Sequence, residues 1–275
     1  MTVSTLATPT RHLREPHIRH LKLFGHRIRA AVWPGSSGRA PLLLFNGIGA
    51  NLELLSPIAD CLADVEVIAF DAPGVGGSGP AYHPYRPWQF AVLATRLLDK
   101  LGYTRQVDVL GVSWGGAMAQ QLAFQARRRV RRLVLAATSA GVLMVPGHPR
   151  VFLKLASPRR YLDADYLERH FEALYSDEKG IGDHAARIKP PTLPGYLFQL
   201  FAGAGWTSAP LLPLIPHETL VLAGRHDKIV PAINGRILAG LIPRARLQIV
   251  EGGHLFLVSQ AAQVMPMIDE FLAAD

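Results

Sequence analysis

The sequence predicts an α/β protein built on a mostly parallel β-sheet with helices on both faces. Three observations carry the prediction. Short apolar runs bounded by Gly, Pro or Asn recur along the 275 residues, helical patterns separate them, and one G-x-S-x-G pentapeptide lies directly between such a run and such a pattern. Strands covered on both faces read as unbroken branched apolar segments, and their alternation with amphipathic helices is the signature of a parallel sheet. With 49% hydrophobic residues, and with 25 Gly and 21 Pro scattered without a period, a disordered or collagen-like chain is excluded.

In chain order, residues 1–17 contain no apolar run but carry Arg11, His12 and Arg14, which predicts a flexible leader and not a signal peptide. Residues 21–24 and 28–32 flank Gly25-His26 and predict an opening antiparallel hairpin. Six buried strands are then expected around residues 40–45, 65–70, 107–110, 133–135, 219–222 and 247–250. Between the second and third of these, Phe90, Leu93, Ala94, Leu97, Leu98 and Leu101 repeat at helical spacing and Gly102 supplies a stop. Val264, Met267, Ile268, Phe271 and Leu272 repeat that spacing near the end. The interval between residues 135 and 220 is far longer than one crossover helix needs. It carries Phe152, Leu155, Tyr161, Phe171, Tyr175, Tyr196, Phe198 and Phe201, and predicts a helical lid at 141–207 over a core formed by 18–140 and 208–275.

One cysteine, Cys61, permits neither an internal disulfide nor a zinc site built on several cysteines, which fits a cytoplasmic protein best. No stretch approaches the ~20 apolar residues of a transmembrane helix. The formal charge of +8 raises the question of nucleic acid, but no zinc-finger, RRM or helix-turn-helix pattern accompanies it. The densest basic cluster, Arg127, Arg128, Arg129, Arg131 and Arg132, reads as a solvated helix end complementing the carbonyl-end dipole. Its alternative is a contact with an anionic, lipid-coated body.

The chemistry concentrates at Gly111-Val112-Ser113-Trp114-Gly115. After a strand and before a helix this pattern is a nucleophile elbow, in which glycines allow a strained turn to project the serine above the sheet. A serine hydroxyl needs a base, and the base needs an orienting acid. In such folds they follow in the order acid, then histidine, each beyond a late strand. Gly224-Arg225-His226-Asp227 and Glu251-Gly252-Gly253-His254 satisfy that order, making Asp227 the orienting carboxylate and His254 the general base. His226 is the nearest rival among eleven histidines, but its adjacency to the acid makes it a poor partner for that acid. The oxyanion donors are expected to be the backbone N–H groups of Trp114, after the nucleophile, and of Ile48, in the turn after the third strand.

A second glycine run, residues 71–79, contains a G-x-G-x-x-G spacing at Gly74, Gly76 and Gly79. The proline-rich segment after it opens no helix that could hold a pyrophosphate, so it reads as a structural turn. No Walker A pattern or metal-ligand cluster is evident, and neither a cofactor nor a metal is expected.

These residues resemble the α/β-hydrolase superfamily from about residue 20 onward. Within it the chain resembles intracellular medium-chain-length poly(3-hydroxyalkanoate) depolymerases through residues 41–51, 70–78, 111–116, 133–141, 156–161, 199–208 and 253–257. Asn46 is distinctive, because many relatives carry histidine there, and the lid segments 156–161 and 199–208 are more specific still. The resemblance implies an eight-stranded sheet, triad roles for Ser113, Asp227 and His254, and a hydrophobic polyester substrate stored as granules, whose surface becomes a candidate partner. A general carboxylesterase or lipase, a carbon–carbon bond hydrolase and a non-catalytic granule-binding module remain alternatives.

Overall fold

The computed structural model describes residues 14–148 and 187–274. Its strands are β1 (His17–Leu23), β2 (His26–Trp33), β3 (Leu42–Phe45), β4 (Val67–Phe70), β5 (Val107–Val112), β6 (Val130–Ala136), β7 (Glu218–Gly224) and β8 (Ala245–Val250). They form one sheet in the order β1-β2-β4-β3-β5-β6-β7-β8. β2 pairs antiparallel with both β1 and β4, and every other pairing is parallel. After β3 the chain steps outward to β4 and then crosses back to β5. The ends of β3 and β5 therefore flank a topological switch point, where open α/β sheets place their ligand crevice.

Successive residues of a strand point to opposite faces, and the core divides accordingly. Leu43, Phe45, Ile68, Leu133 and Leu135 pack on one side, against helices α2 (Pro87–Leu101) and α3 (Trp114–Gln125). Leu42, Leu44, Val67, Val134 and Ala136 face the other, covered by α1 (Ser56–Cys61) and by the C-terminal helix α7 (Ala261–Ala273). Three further helices lie between: α4 (Leu193–Gly203), α5 (Ile233–Leu241) and α6 (Phe256–Ser259). Helix α2 buries the expected Phe90, Leu93, Ala94, Leu97 and Leu98, and stops at Gly102, whose φ of 92° is a left-handed cap.

Two boundaries differ from expectation. The first strand begins at His17, and Arg14, inside the predicted leader, donates to the carbonyls of Pro34, Ala63 and Val65 at 2.7–3.0 Å. Residues 1–13 lie outside the described residues.

The arginine cluster is a solvated helix end only in part: Arg127 and Arg128 are exposed in the turn after α3, with Arg127 Nε donating to the Phe124 carbonyl at 3.2 Å, whereas the other three are engaged elsewhere. Helix α3 stops at Gln125, and β6 begins at Val130 and contains Arg131 and Arg132. Arg131 grips the buried Asp108 of the neighbouring strand through Nε and Nη2 at 2.9 and 2.7 Å. Arg132 donates to the Phe271 carbonyl at 2.6 Å with its guanidinium over the Phe271 ring, and Arg129 pairs with Asp99 at 2.6 Å. A carboxylate one strand away offers a fork-shaped partner that water matches less well, so three of the five arginines are held by partners within the fold.

Most of the predicted lid, residues 149–186, lies outside the described residues. Gly141 and Thr207, at the two ends of that predicted insert, pair in an isolated antiparallel bridge.

Candidate active site

The elbow follows from packing at two glycines. A Cβ at position 111 would stand 2.5 Å from the Gly115 carbonyl oxygen, and one at position 115 would stand 2.3 Å from that of Phe45. Neither fits, so only glycine lets β5 turn this sharply into α3 while packing against β3. Ser113 takes the resulting strain, with φ 54° and ψ −118°, a left-handed φ that few non-glycine residues adopt. Its side chain is left partly exposed.

The two late loops bring their groups to that hydroxyl. Ser113 Oγ lies 3.0 Å from His254 Nε2, and His254 Nδ1 lies 2.8 Å from Asp227 Oδ2. The other carboxylate oxygen, Oδ1, accepts the Ile229 and Val230 N–H groups, both at 2.8 Å. Asp227 and His254 are buried, at 5% and 8% exposure. A carboxylate held by two amides cannot swing away, and an acceptor fixed opposite Nδ1 favours the tautomer that protonates that nitrogen and leaves Nε2 to accept from the serine. His226 is turned outward, with Nε2 3.1 Å from the exposed Glu251.

Phe45 is in register with Gly111, which sets the turn after β3 beside the elbow, with a Cβ at position 47 about 3.9 Å from Ser113 Cβ. Within that turn the Gly47 N–H donates to Asn46 Oδ1 at 2.9 Å, and Asn46 Nδ2 donates to the Asn51 carbonyl at 2.8 Å. Trp114 is the first residue of α3, so its N–H has no intrahelical acceptor and carries the positive end of the helix dipole. Ile48 and Trp114, the two expected donors, thus lie on the two segments that border Ser113.

Two features carried no residue-level signal in the sequence. Gln199, on α4, accepts the Gly49 N–H through Oε1 at 2.7 Å, and its backbone carbonyl accepts the Trp114 indole N–H at 3.0 Å. In the turn after β4, the fully buried Asp71 accepts the N–H groups of Leu52 and Gly77, both at 2.8 Å, and pairs with Arg29 at 3.2 Å. Arg29 also pairs with Glu53 at 2.9 Å. The 71–79 run closes around Asp71 and opens no helix, since α2 starts only at Pro87. Among the described residues, no group of three or more His, Cys, Asp or Glu side chains could hold a metal, and no helix is long and apolar enough to cross a membrane.

Comparison with known proteins agrees with this fold. A family model described as the alpha/beta hydrolase fold matches residues 40–261. The chain is 49% identical over 265 residues to a poly(3-hydroxyalkanoate) depolymerase from Ectopseudomonas oleovorans, covering 94% of this chain and 93% of that one. It is 32% identical to a 2-hydroxymuconate semialdehyde hydrolase from a Pseudomonas species, over 85% of this chain and 87% of the relative. Among solved structures, a thermophilic esterase from Thermogutta terrifontis superposes with a TM-score of 0.74 at 25% identity, covering 94% of this chain and 97% of that one.

Proposed function

This chain belongs to the α/β-hydrolase fold family, and from that premise we propose that it is a serine hydrolase cleaving the ester bonds of poly(3-hydroxyalkanoate), with medium-length side chains preferred. The observation that carries the chemistry is the 3.0 Å approach of Ser113 Oγ to an imidazole whose far nitrogen is 2.8 Å from Asp227. The substrate class comes from the 49% identity to a polyester depolymerase over nearly the whole chain.

In the proposed mechanism Ser113 Oγ attacks the ester carbonyl carbon while His254 Nε2 takes the hydroxyl proton. The carbonyl π electrons move to oxygen, and that oxyanion is met by the N–H groups of Ile48 and Trp114, each such donor lowering the barrier by ~3 kcal/mol. Collapse expels the alcohol end of the polymer, which takes the proton from His254. A water activated by the same imidazole then releases the hydroxy acid or oligomer and restores the serine. Asp227 stabilises the imidazolium at both stages without itself being protonated.

A water-poor polymer also needs an apolar contact surface. Leu193, Leu197 and Phe201 recur at every fourth position of α4 and stay 46%, 46% and 43% exposed, forming a stripe on the helix that carries Gln199. Against an aliphatic polyester each buried methylene contributes ~0.8 kcal/mol, and this stripe supports attachment at a granule surface. The 32% identity to a 2-hydroxymuconate semialdehyde hydrolase favours a second reading, carbon–carbon bond hydrolysis by the same three residues.

The test incubates the protein with suspended polyesters of different side-chain length, with short soluble esters and with a vinylogous diketone. The proposal expects hydroxy acids or oligomers from the polymer, fastest with medium side chains. It also expects Ser113→Ala to fall by at least ~10⁴-fold in kcat without a change in melting temperature. Turnover of the diketone alone would favour the second reading, and retained ester turnover in Ser113→Ala would remove the serine from the mechanism.

A further inference from the structure

We propose that Gln199 is a positioning residue that sets both oxyanion donors from one point on α4. This rests on the serine-hydrolase reading above. Gln199 is 2% exposed and reaches both donor segments at once. Its side-chain Oε1 accepts the Gly49 N–H at 2.7 Å, and its main-chain carbonyl accepts the Trp114 indole N–H at 3.0 Å.

The consequences for the turn after β3 are geometric. The amides on either side of Ile48 are both committed, Gly47 N–H to Asn46 Oδ1 at 2.9 Å and Gly49 N–H to Gln199 Oε1 at 2.7 Å. Between two anchored neighbours the orientation of the Ile48 peptide is fixed. Gly49 itself has φ +70°, and a glycine left to itself populates positive and negative φ about equally. The bond from Gln199 selects one of those conformations. On the second segment, the indole bond ties the side chain of Trp114 to the same residue and so steadies the first turn of α3, whose leading N–H is the other donor.

The clamp is anchored in turn. At the start of α4 the Thr192 N–H and hydroxyl both donate to the Gly74 carbonyl, at 2.8 and 3.0 Å. Gly195 packs so closely there that a Cβ would lie 2.5 Å from that carbonyl oxygen. Gln199 therefore rests on the turn after β4 while holding the segments that follow β3 and β5. Preorganised donors stabilise charge only where the developing oxyanion will be, so a residue that fixes their direction should act on the rate and leave ground-state binding alone.

Two variants test this. Gln199→Met keeps the length and bulk of the side chain but offers no carbonyl acceptor to Gly49. Trp114→Phe leaves the main-chain N–H at position 114 in place and deletes the indole bond. For each, kcat and KM are measured on a soluble p-nitrophenyl ester, together with inhibition by an alkylboronic acid, whose tetrahedral serine adduct presents an oxyanion mimic, and with the melting temperature. The expected result is a fall in kcat of about 10- to 100-fold, with KM within about twofold and boronic-acid affinity reduced in parallel with kcat. A lowered melting temperature with unchanged kcat and boronic-acid affinity would make Gln199 merely structural and overturn the proposal, as would a change confined to KM. If Gln199→Met does not fold, Trp114→Phe alone decides between the same outcomes. A wild-type protein that neither turns over esters nor is labelled at Ser113 by a phosphonate sinks the serine-hydrolase reading, and this inference with it. Active wild type with unaffected variants sinks only the inference.

Discussion

Two glycine-rich turns leave the same edge of the sheet, residues 71–79 after β4 and residues 111–116 at the end of β5, and they treat their polar side chain in opposite ways. In the first, Asp71 points inward. Its carboxylate is filled by the N–H groups of Leu52 and Gly77 and by the Arg29 guanidinium, and Gly76 lacks a side chain because a Cβ there would lie 2.4 Å from Asp71 Oδ2. In the second, the glycines give way to strand and helix backbone, and Ser113 points outward to an imidazole. Both turns use glycine for close approach. A turn becomes a site when its polar group faces the crevice with capacity left for a substrate, and a structural post when that capacity is spent inside the fold.

Damage to the two turns should therefore appear in different measurements. The larger effect belongs to the elbow and its partners. Asp227→Asn keeps the acceptor facing the Ile229 and Val230 N–H groups but turns a donor toward His254 Nδ1, which favours the tautomer with no lone pair for Ser113. We expect kcat on a soluble ester to fall by ~10³- to 10⁴-fold with little change in thermal stability. A loss under tenfold would show that the imidazole is oriented by something else. In the Asp71 turn, Gly76→Ala forces a methyl group against a carboxylate fixed on three sides, at a backbone φ of +52°. It should destabilise the fold by ~2–4 kcal/mol in denaturant melts, while the folded fraction keeps kcat within a few-fold. A large rate loss with unchanged stability would place this turn in the catalytic machinery and erase the contrast.

The same contrast explains what could be read from the sequence. The buried strands announce themselves because β3, β4 and the first five residues of β5 are buried throughout, and a strand covered on both faces has no reason to alternate. Ser113, Asp227 and His254 stand out because the elbow needs glycines at fixed offsets and the later partners need fixed strand ends. Edges are harder. The strand His17–Leu23 is mostly exposed and basic, so its start carries no apolar signal. Arg131 and Arg132 read as a helix end because their partners, Asp108 and the Phe271 carbonyl, are 23 and 139 residues away. Gln199 is invisible for a similar reason, since an amide on an apolar helix gains meaning only once Gly49, 150 residues earlier, is folded against it.

The smallest expected effect tests how the Asp71 post is tied to the chain returning from the insert. Glu53 bridges Arg29 and Lys189, and Asn51 beside it donates to the Arg187 carbonyl at 3.0 Å and accepts the Lys189 N–H at 2.9 Å. Burial alone would raise the Glu53 carboxyl, but Arg29, Lys189 and Asn51 together hold it down to about 2, against an ordinary 4.5. A group lowered in the folded state contributes stability above its unfolded value, and that stability is lost as pH falls through the folded one. Glu53→Gln should therefore cost ~1–2 kcal/mol at pH 7 after allowing for its partial exposure, and the difference from wild type should shrink below pH 4.5 and vanish near pH 2. Asp71 works in the opposite sense, since burial outweighs its amide and Arg29 partners and raises it to about 6. That favours the folded state as pH falls from above 6 toward 3.8, but it acts in both proteins and largely cancels in the comparison. Denaturant melts of the pair at pH 7, 5 and 3 give the slope directly. A difference that does not change with pH would mean that hydrogen bonding, which glutamine can imitate, holds this junction and that the charge on Glu53 contributes nothing to it.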